Sequence, residues 1–174
     1  EILEKVDTLV VDKTGTLTEG KPALAEVEPL GEIPPEDLLR LAAGLEQASE
    51  HPLAAALVTG ARQRGIKPAR VTQFQSLTGK GVTGLIDGRR IAVGGPALLE
   101  HLGISAAEPA ARADALRGQG RTVVFVVIDG HVAGLISVAD PVKTSSAEAI
   151  RLLHEEGIRI VMVTGDSRVT AEAV

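Results

Sequence analysis

The sequence predicts an α/β fold in which a partial parallel α/β unit, built from both ends of the chain, is interrupted by an inserted α+β domain containing an antiparallel sheet. Two observations carry this expectation. Val6 to Val11 and Ile158 to Val163 are short apolar runs rich in β-branched residues, and each leads into an aspartate and a glycine turn, as buried parallel strands do. Between them, short strand-like segments are broken by glycines, with Asp87-Gly88 and Asp129-Gly130 standing where hairpin turns belong. Pairing the two apolar runs in one sheet assigns residues 1–20 and 138–174 to the parallel unit and Lys21 to Ser137 to the insert.

The remaining elements follow from local pattern. Ala23 to Pro29 reads as a strand, and Glu36 to Ala48 as a helix with Leu38, Leu39, Leu41, Ala42 and Leu45 on one broad face. Pro52 suits the first turn of a second helix, which runs to about Arg64 and closes at Gly65. Thr72 to Ser76, Gly81 to Ile86 and Arg90 to Val93 are strands, followed by helices at Pro96 to Leu102 and Ala107 to Arg117. A second hairpin joins Thr122 to Ile128 with His131 to Val138. The pattern changes back at Asp140-Pro141, and Thr144 to Glu156 is helical. Glu1 carries neither methionine nor leader, and Val174 falls in a helix just begun, so both ends read as cut from something longer.

Composition narrows the function classes. In 174 residues, 44% hydrophobic content is enough for a core, while a net charge of -5 without a basic stripe argues against nucleic acid as partner and for a small molecule. The absence of cysteine removes disulfides and thiolate metal sites and fits a reducing, cytoplasmic setting. Val123 to Ile128 is far shorter than the ~20 residues of a membrane helix.

Asp12-Lys13-Thr14-Gly15-Thr16-Leu17-Thr18 places a carboxylate at a strand end beside a lysine and a turn rich in hydroxyl and amide donors. A carboxylate attacks phosphorus without first losing a proton, and the lysine and amides can steady charge on the transferring oxygens. An N-capping aspartate in a turn is the plain alternative. The seven residues are identical to the phosphorylation motif of P-type ATPases, members of the haloacid dehalogenase superfamily, and so the resemblance implies Asp12 as phosphate acceptor. Phosphatases of that superfamily usually carry a second aspartate two positions on. Thr14 cannot serve as that general acid and base, which favours a longer-lived acyl phosphate.

Further motifs match in order. Ser49-Glu50-His51-Pro52 resembles the Ser-Glu-His-Pro motif of heavy-metal P-type pumps, which implies that His51 contacts adenine, with Glu46 the upstream glutamate. Gly79-Lys80-Gly81-Val82-Thr83-Gly84 has G-x-G-x-x-G spacing, but it precedes a strand instead of a helix, which rules out a dinucleotide-fold reading. The resemblance implies close approach of backbone to nucleotide at Gly79 and Gly81, with Gly94 a third contact. At Gly95 the family commonly has a nucleotide-binding asparagine. Thr164-Gly165-Asp166 resembles the pumps' Thr-Gly-Asp motif, where the threonine helps hold the phosphoryl group, and Asp140-Pro141 resembles the segment that re-enters the phosphorylation domain. His101, His131 and His154 lack ligand spacing and read as solvated.

The resemblance implies the cofactors ATP and Mg²⁺, the metal held at Asp12 and Thr14, with Lys13, Thr164, Gly165 and Asp166 completing the phosphorylation site. Expected partners are the actuator domain and membrane helices of the same pump, at the cytoplasmic face of a membrane. The family's Gly-Asp-Gly-x-Asn-Asp segment, with its Mg²⁺-binding aspartate, is not among these residues, so the monomeric piece is expected to show little turnover. Monovalent copper is the commonest cargo of such relatives, while zinc, cadmium, cobalt and lead stay open. A superfamily phosphatase acting on small phosphate esters and a nucleotide-binding module without turnover are the other readings.

Overall fold

The computed structural model describes residues 6–173. Two strands, β1 (Thr8–Asp12) and β8 (Arg159–Val163), pair in parallel with Asp12 opposite Val163, so both strand tips leave the same edge. Most of the chain between them forms a second body. Strands β2 (Ala23–Pro29), β3 (Thr72–Leu77), β4 (Gly81–Ile86), β5 (Arg89–Gly94), β6 (Thr122–Ile128) and β7 (His131–Ala139) make a six-stranded sheet in the order β2-β7-β6-β5-β4-β3, and every pairing is antiparallel. Helices α1 (Pro35–Glu46) and α2 (Pro52–Gln63) pack against one face, α3 (Pro96–His101) and α4 (Ala107–Arg117) against the other. Helix α5 (Ser146–Glu155) precedes β8 and α6 (Arg168–Glu172) follows it.

The period of two along β6 builds both cores at once. Val124, Val126 and Ile128 join the cluster under α1 and α2, whereas Val123, Phe125 and Val127 join the one under α3 and α4. A strand buried on both faces reads as an unbroken apolar run, which is how Val123 to Ile128 stood out in the sequence. Both expected Asp-Gly turns are hairpin turns with two consecutive left-handed residues, Asp87 (φ 52) with Gly88 (φ 76) and Asp129 (φ 50) with Gly130 (φ 84).

Element edges differ from expectation where local pattern is weak. Helix α1 begins at Pro35, which suits a first helical position, and ends at Glu46 instead of Ala48. Helix α5 starts at Ser146 because Lys143 and Ser146 are engaged by the loop after β1. Strand β7 extends to Ala139, held by pairing with Ala23 of β2. The expected α6 lies at Arg168–Glu172; the chain ends, Glu1 and Val174, fall outside the described residues.

Gly134 in β7 is a point of close packing. A Cβ there would meet Leu38 Cδ2 of α1 and stand 2.6 Å from the Glu28 carbonyl oxygen of the neighbouring strand. Gly118 is the contrast, in right-handed backbone with nothing nearer than 3.5 Å. Gly134→Ala is expected to destabilise the protein by about 1–3 kcal/mol through overpacking, while Gly118→Ala stays near neutral. Urea unfolding of the two variants beside the parent checks this.

Candidate functional site

The loop after β1 is fixed by the returning chain. Asp12 ends β1 with its side chain exposed and in no hydrogen bond or ion pair among the described residues, and Gly15 takes φ +79, a conformation that favours glycine. Thr18 Oγ1 accepts from the Gly15 N–H at 3.2 Å and donates to Asp140 Oδ2 at 2.6 Å. Lys143 Nζ donates to the Gly15 carbonyl at 2.6 Å, and Ser146 Oγ to that of Leu17 at 2.7 Å. The other oxygen of Asp140 accepts the Lys21 N–H at 3.0 Å. One aspartate thus ties the segment leaving the parallel unit to the segment returning to it.

The β8 tip supplies the second half. Thr164 Oγ1 accepts from the Asp166 N–H at 3.1 Å and donates to Asp166 Oδ2 at 3.2 Å, folding Thr164-Gly165-Asp166 into a compact turn. Asp166 forms an ion pair with Lys13 Nζ, and Lys13 is only 5% exposed. Burial works to raise the Asp166 pKa, but the bond to Lys13 and its charge, with the Thr122 and Thr164 hydroxyls, hold it below the ordinary carboxylate range. A depressed folded pKa means that this contribution to stability is in place above the ordinary carboxylate value and fades as pH falls through the lowered one. The Lys13 charge is thereby neutralised within the site.

The helix α1–α2 junction carries the other candidates. Glu46 closes α1 and is 8% exposed, and its Oε2 has no hydrogen-bond partner among the described residues. Burial pushes its pKa up from the ordinary value, and the Ser49 hydroxyl partly offsets this. His51 is the N-cap of α2. Its Nδ1 accepts the Leu53 N–H at 3.2 Å, which leaves the neutral ring's proton on Nε2.

One cleft of about 740 Å³ joins these places, within the range of small-molecule sites. Glu46, His51, Gly79, Gly81 and Gly94 line it together with Lys13, Thr14, Thr164, Gly165 and Asp166. Asp12 is not among the lining residues; its neighbours Lys13 and Thr14 are. The three glycines differ. Gly79 has φ +71 and nothing within 4 Å, so its outer face is open. Gly81 and Gly94 pair across β4 and β5, and a Cβ on either would run into backbone, on Val93 or Lys80 respectively, so sheet packing alone requires both. Gly95 has extended backbone and open space around it, so nothing in the fold demands a glycine there. His101, His131 and His154 are all exposed, with His101 Nδ1 set 3.0 Å from Lys80 Nζ.

Several participants were not singled out in the sequence. Asp140 stood out only within the Asp140-Pro141 segment that marks the return to the parallel unit, with no bonding role, Thr122 as the first residue of a strand, and Arg117 as the end of a helix. The roles of Asp140 and Thr122 depend on Thr18 and Asp166, 122 and 44 residues away, and no local pattern announces these, whereas Arg117 is set apart by its burial.

A profile for haloacid dehalogenase-like hydrolases matches residues 6–174. The chain belongs to that family. Within it, the chain is similar to heavy-metal P-type ATPases. A copper-transporting P-type ATPase of Rhizobium leguminosarum bv. viciae is 52% identical over 174 residues, 100% of this chain and 21% of the relative. Among solved structures, a zinc-transporting PIB-type ATPase in its E2.Pi state superposes with a TM-score of 0.73 at 34% identity, over 98% of this chain and 28% of that one. The catalytic domain of a CPx-ATPase, solved for its conformational changes upon nucleotide binding, gives 0.68 at 26% identity, over 98% and 58%. The chain therefore spans about a fifth of the length of the curated relative. No described helix is long and apolar enough to cross a membrane.

The Glu46 carboxyl yields a stability test. Because its folded pKa is raised, its ionisation above the ordinary carboxylate value disfavours the folded state, and that penalty is absent where both states are protonated. Glu46→Gln is expected to raise the urea midpoint at pH 7, with the gain shrinking towards pH 4. A midpoint at pH 7 equal to or below that of the parent contradicts this account of the burial.

Proposed function

We propose that this chain is the ATP-binding and autophosphorylating part of a P-type heavy-metal cation pump, in which the γ-phosphate passes to Asp12. The observation that carries the reading is the single cleft, with an unpartnered buried carboxylate oxygen of Glu46 at one end and Lys13, Thr14 and Thr164 at the other. A buried acceptor without a donor suits the exocyclic amine of adenine. His51 offers the Nε2 donor and a planar face in a chain with no tryptophan or tyrosine. Gly79 lets the nucleotide approach open backbone.

At the other end, an Asp12 oxygen attacks the γ-phosphorus, the new O–P bond forms as the bond to the β-phosphate bridging oxygen breaks, and ADP leaves. Lys13 and the Thr14 and Thr164 hydroxyls steady the transferring oxygens. Among the described residues no three His, Asp or Glu side chains gather as a metal site. Mg²⁺ accepts one or two carboxylates completed by water and phosphate oxygens, and the free Asp12 carboxylate beside Thr14 fits such a partial set. When bound, the ion would neutralise charge on the phosphates. Thr14 supplies no general acid or base to activate water against the acyl phosphate, which is therefore comparatively long-lived.

In the whole pump, phosphorylation would drive ion movement through the membrane helices together with the actuator domain, this chain lying on the cytoplasmic face. The similar proteins are described as copper- and zinc-transporting, and we place copper first because the nearer sequence likeness is to a copper transporter.

Isothermal titration of the chain is expected to show ATP and ADP binding and a clear preference over GTP. His51→Gln and Glu46→Gln should each weaken ATP by about 5- to 10-fold, the value of one modest hydrogen bond. Gly95→Asn, which meets nothing within 4 Å, should tighten it by a similar factor. In the full-length pump, acid-stable and hydroxylamine-sensitive labelling from γ-labelled ATP should vanish in Asp12→Asn. Equal binding of GTP, or label that survives Asp12→Asn, would overturn the reading.

A further inference from the structure

Arg117 is a buried charge that the fold does not explain. It is 8% exposed, at the last turn of α4, yet it lines the cleft. Its NH1 donates to Asp114 Oδ1 at 2.7 Å, but the Asp114 side chain is 62% exposed, and a carboxylate so well solvated offsets little of the desolvation of its partner. The guanidinium also lies 5.8 Å from the centroid of the Phe125 ring, a favourable but modest contact. A basic residue in a last helical turn can serve the carbonyl ends of that helix, though it does so equally well from water. Helix capping therefore accounts for the position of Arg117 and not for its burial.

The other cationic side chains on the cleft are committed. Lys13 is neutralised by Asp166, and Lys80 is drawn to His101. Arg117 has five N–H donors in a planar fork, of which one is used in the observed bond. Its stem is fixed by packing and its head by Asp114, so little freedom is lost on meeting a ligand. An anion-seeking, pre-oriented guanidinium is thus held on the wall of a cleft whose ends suit adenine and a phosphoryl acceptor.

We propose that Arg117 is the insert's own contact to the nucleotide polyphosphate, reading its charge before the γ-phosphate reaches Lys13. The assignment rests on the nucleotide reading above and adds a residue to it. It makes Arg117 a discriminator between phosphorylated and unphosphorylated adenine ligands, whereas Glu46 and His51 serve both alike.

The test compares ATP with adenosine on the 174-residue chain by NMR titration. Arg117→Met is expected to weaken ATP by about 10- to 100-fold, the range for a hydrogen bond to a charged group, and adenosine by less than about twofold. Arg117→Lys, which keeps charge but not the fork, should fall between. A merely structural role would weaken both ligands together and overturn the assignment. In the parent protein, which avoids any folding defect of the variants, the Arg117 Nε–Hε signal should shift with ATP and stay still with adenosine. A signal unmoved by ATP while the Gly79 and Gly81 amides shift overturns the role of Arg117 and leaves the nucleotide reading standing. No shift anywhere with ATP overturns both.

Discussion

The structure depends on a crossing. A chain that leaves a parallel sheet, builds a second body and returns must bring its two connections side by side, and Asp140 does this by accepting Thr18 Oγ1 on one oxygen and the Lys21 N–H on the other. Thr18 is fully buried and also receives the Gly15 N–H, so the crossing and the loop after β1 share a single hydroxyl. Backbone bonds from Glu19 to Pro141 and from Lys143 to Leu17 continue the contact as a short antiparallel pairing. The loop after Asp12 thus owes its shape to residues more than 120 positions away.

That crossing sets where the cleft can be. β2 starts just past Lys21 and β7 ends just before Asp140, so the sheet of the insert stands on the same base as the tips of β1 and β8. Two contacts span the gap from above: Thr122 Oγ1 reaches Asp166 at 3.1 Å, and Thr170 Oγ1 reaches the Arg121 carbonyl at 3.2 Å. Asp166 is consequently shared between Lys13 of the parallel unit and Thr122 of the insert. Any ligand oxygen that draws Lys13 away removes the strongest partner of a half-buried carboxylate, and the bond to Thr122 then carries more of its satisfaction. The electrostatic state around Lys13 and the placement of the insert are coupled through this one side chain.

Much of this was legible in the sequence because much of it is local. The apolar period of α1, the two Asp-Gly hairpins and the doubly buried β6 are written in consecutive residues, and each formed as expected. The seven residues from Asp12 and the Thr164-Gly165-Asp166 turn were recognisable for the same reason. What stayed hidden was everything made by distant pairs. The Lys13–Asp166 ion pair neutralises a lysine that, read alone, looked like a free positive charge. Gly81 and Gly94 looked like ligand glycines, and only their pairing across β4 and β5 shows that sheet packing already requires them. Arg117 looked like an ordinary helix end until burial singled it out.

The two bodies also differ in how they are held together, with a consequence for the chemistry. Both apolar clusters belong to the insert, and among the described residues β1 and β8 contribute to neither. A well-packed insert is therefore joined to the β1–β8 pair by polar contacts, at the crossing and at Asp166. Hydrogen bonds of this kind contribute about 0.5–1.5 kcal/mol each, and they exchange readily for water or ligand. Apolar burial fixes the shape of the insert, and polar bonds fix its position. Position is the property that a ligand competing for Lys13 and the hydroxyls of the resting arrangement can change.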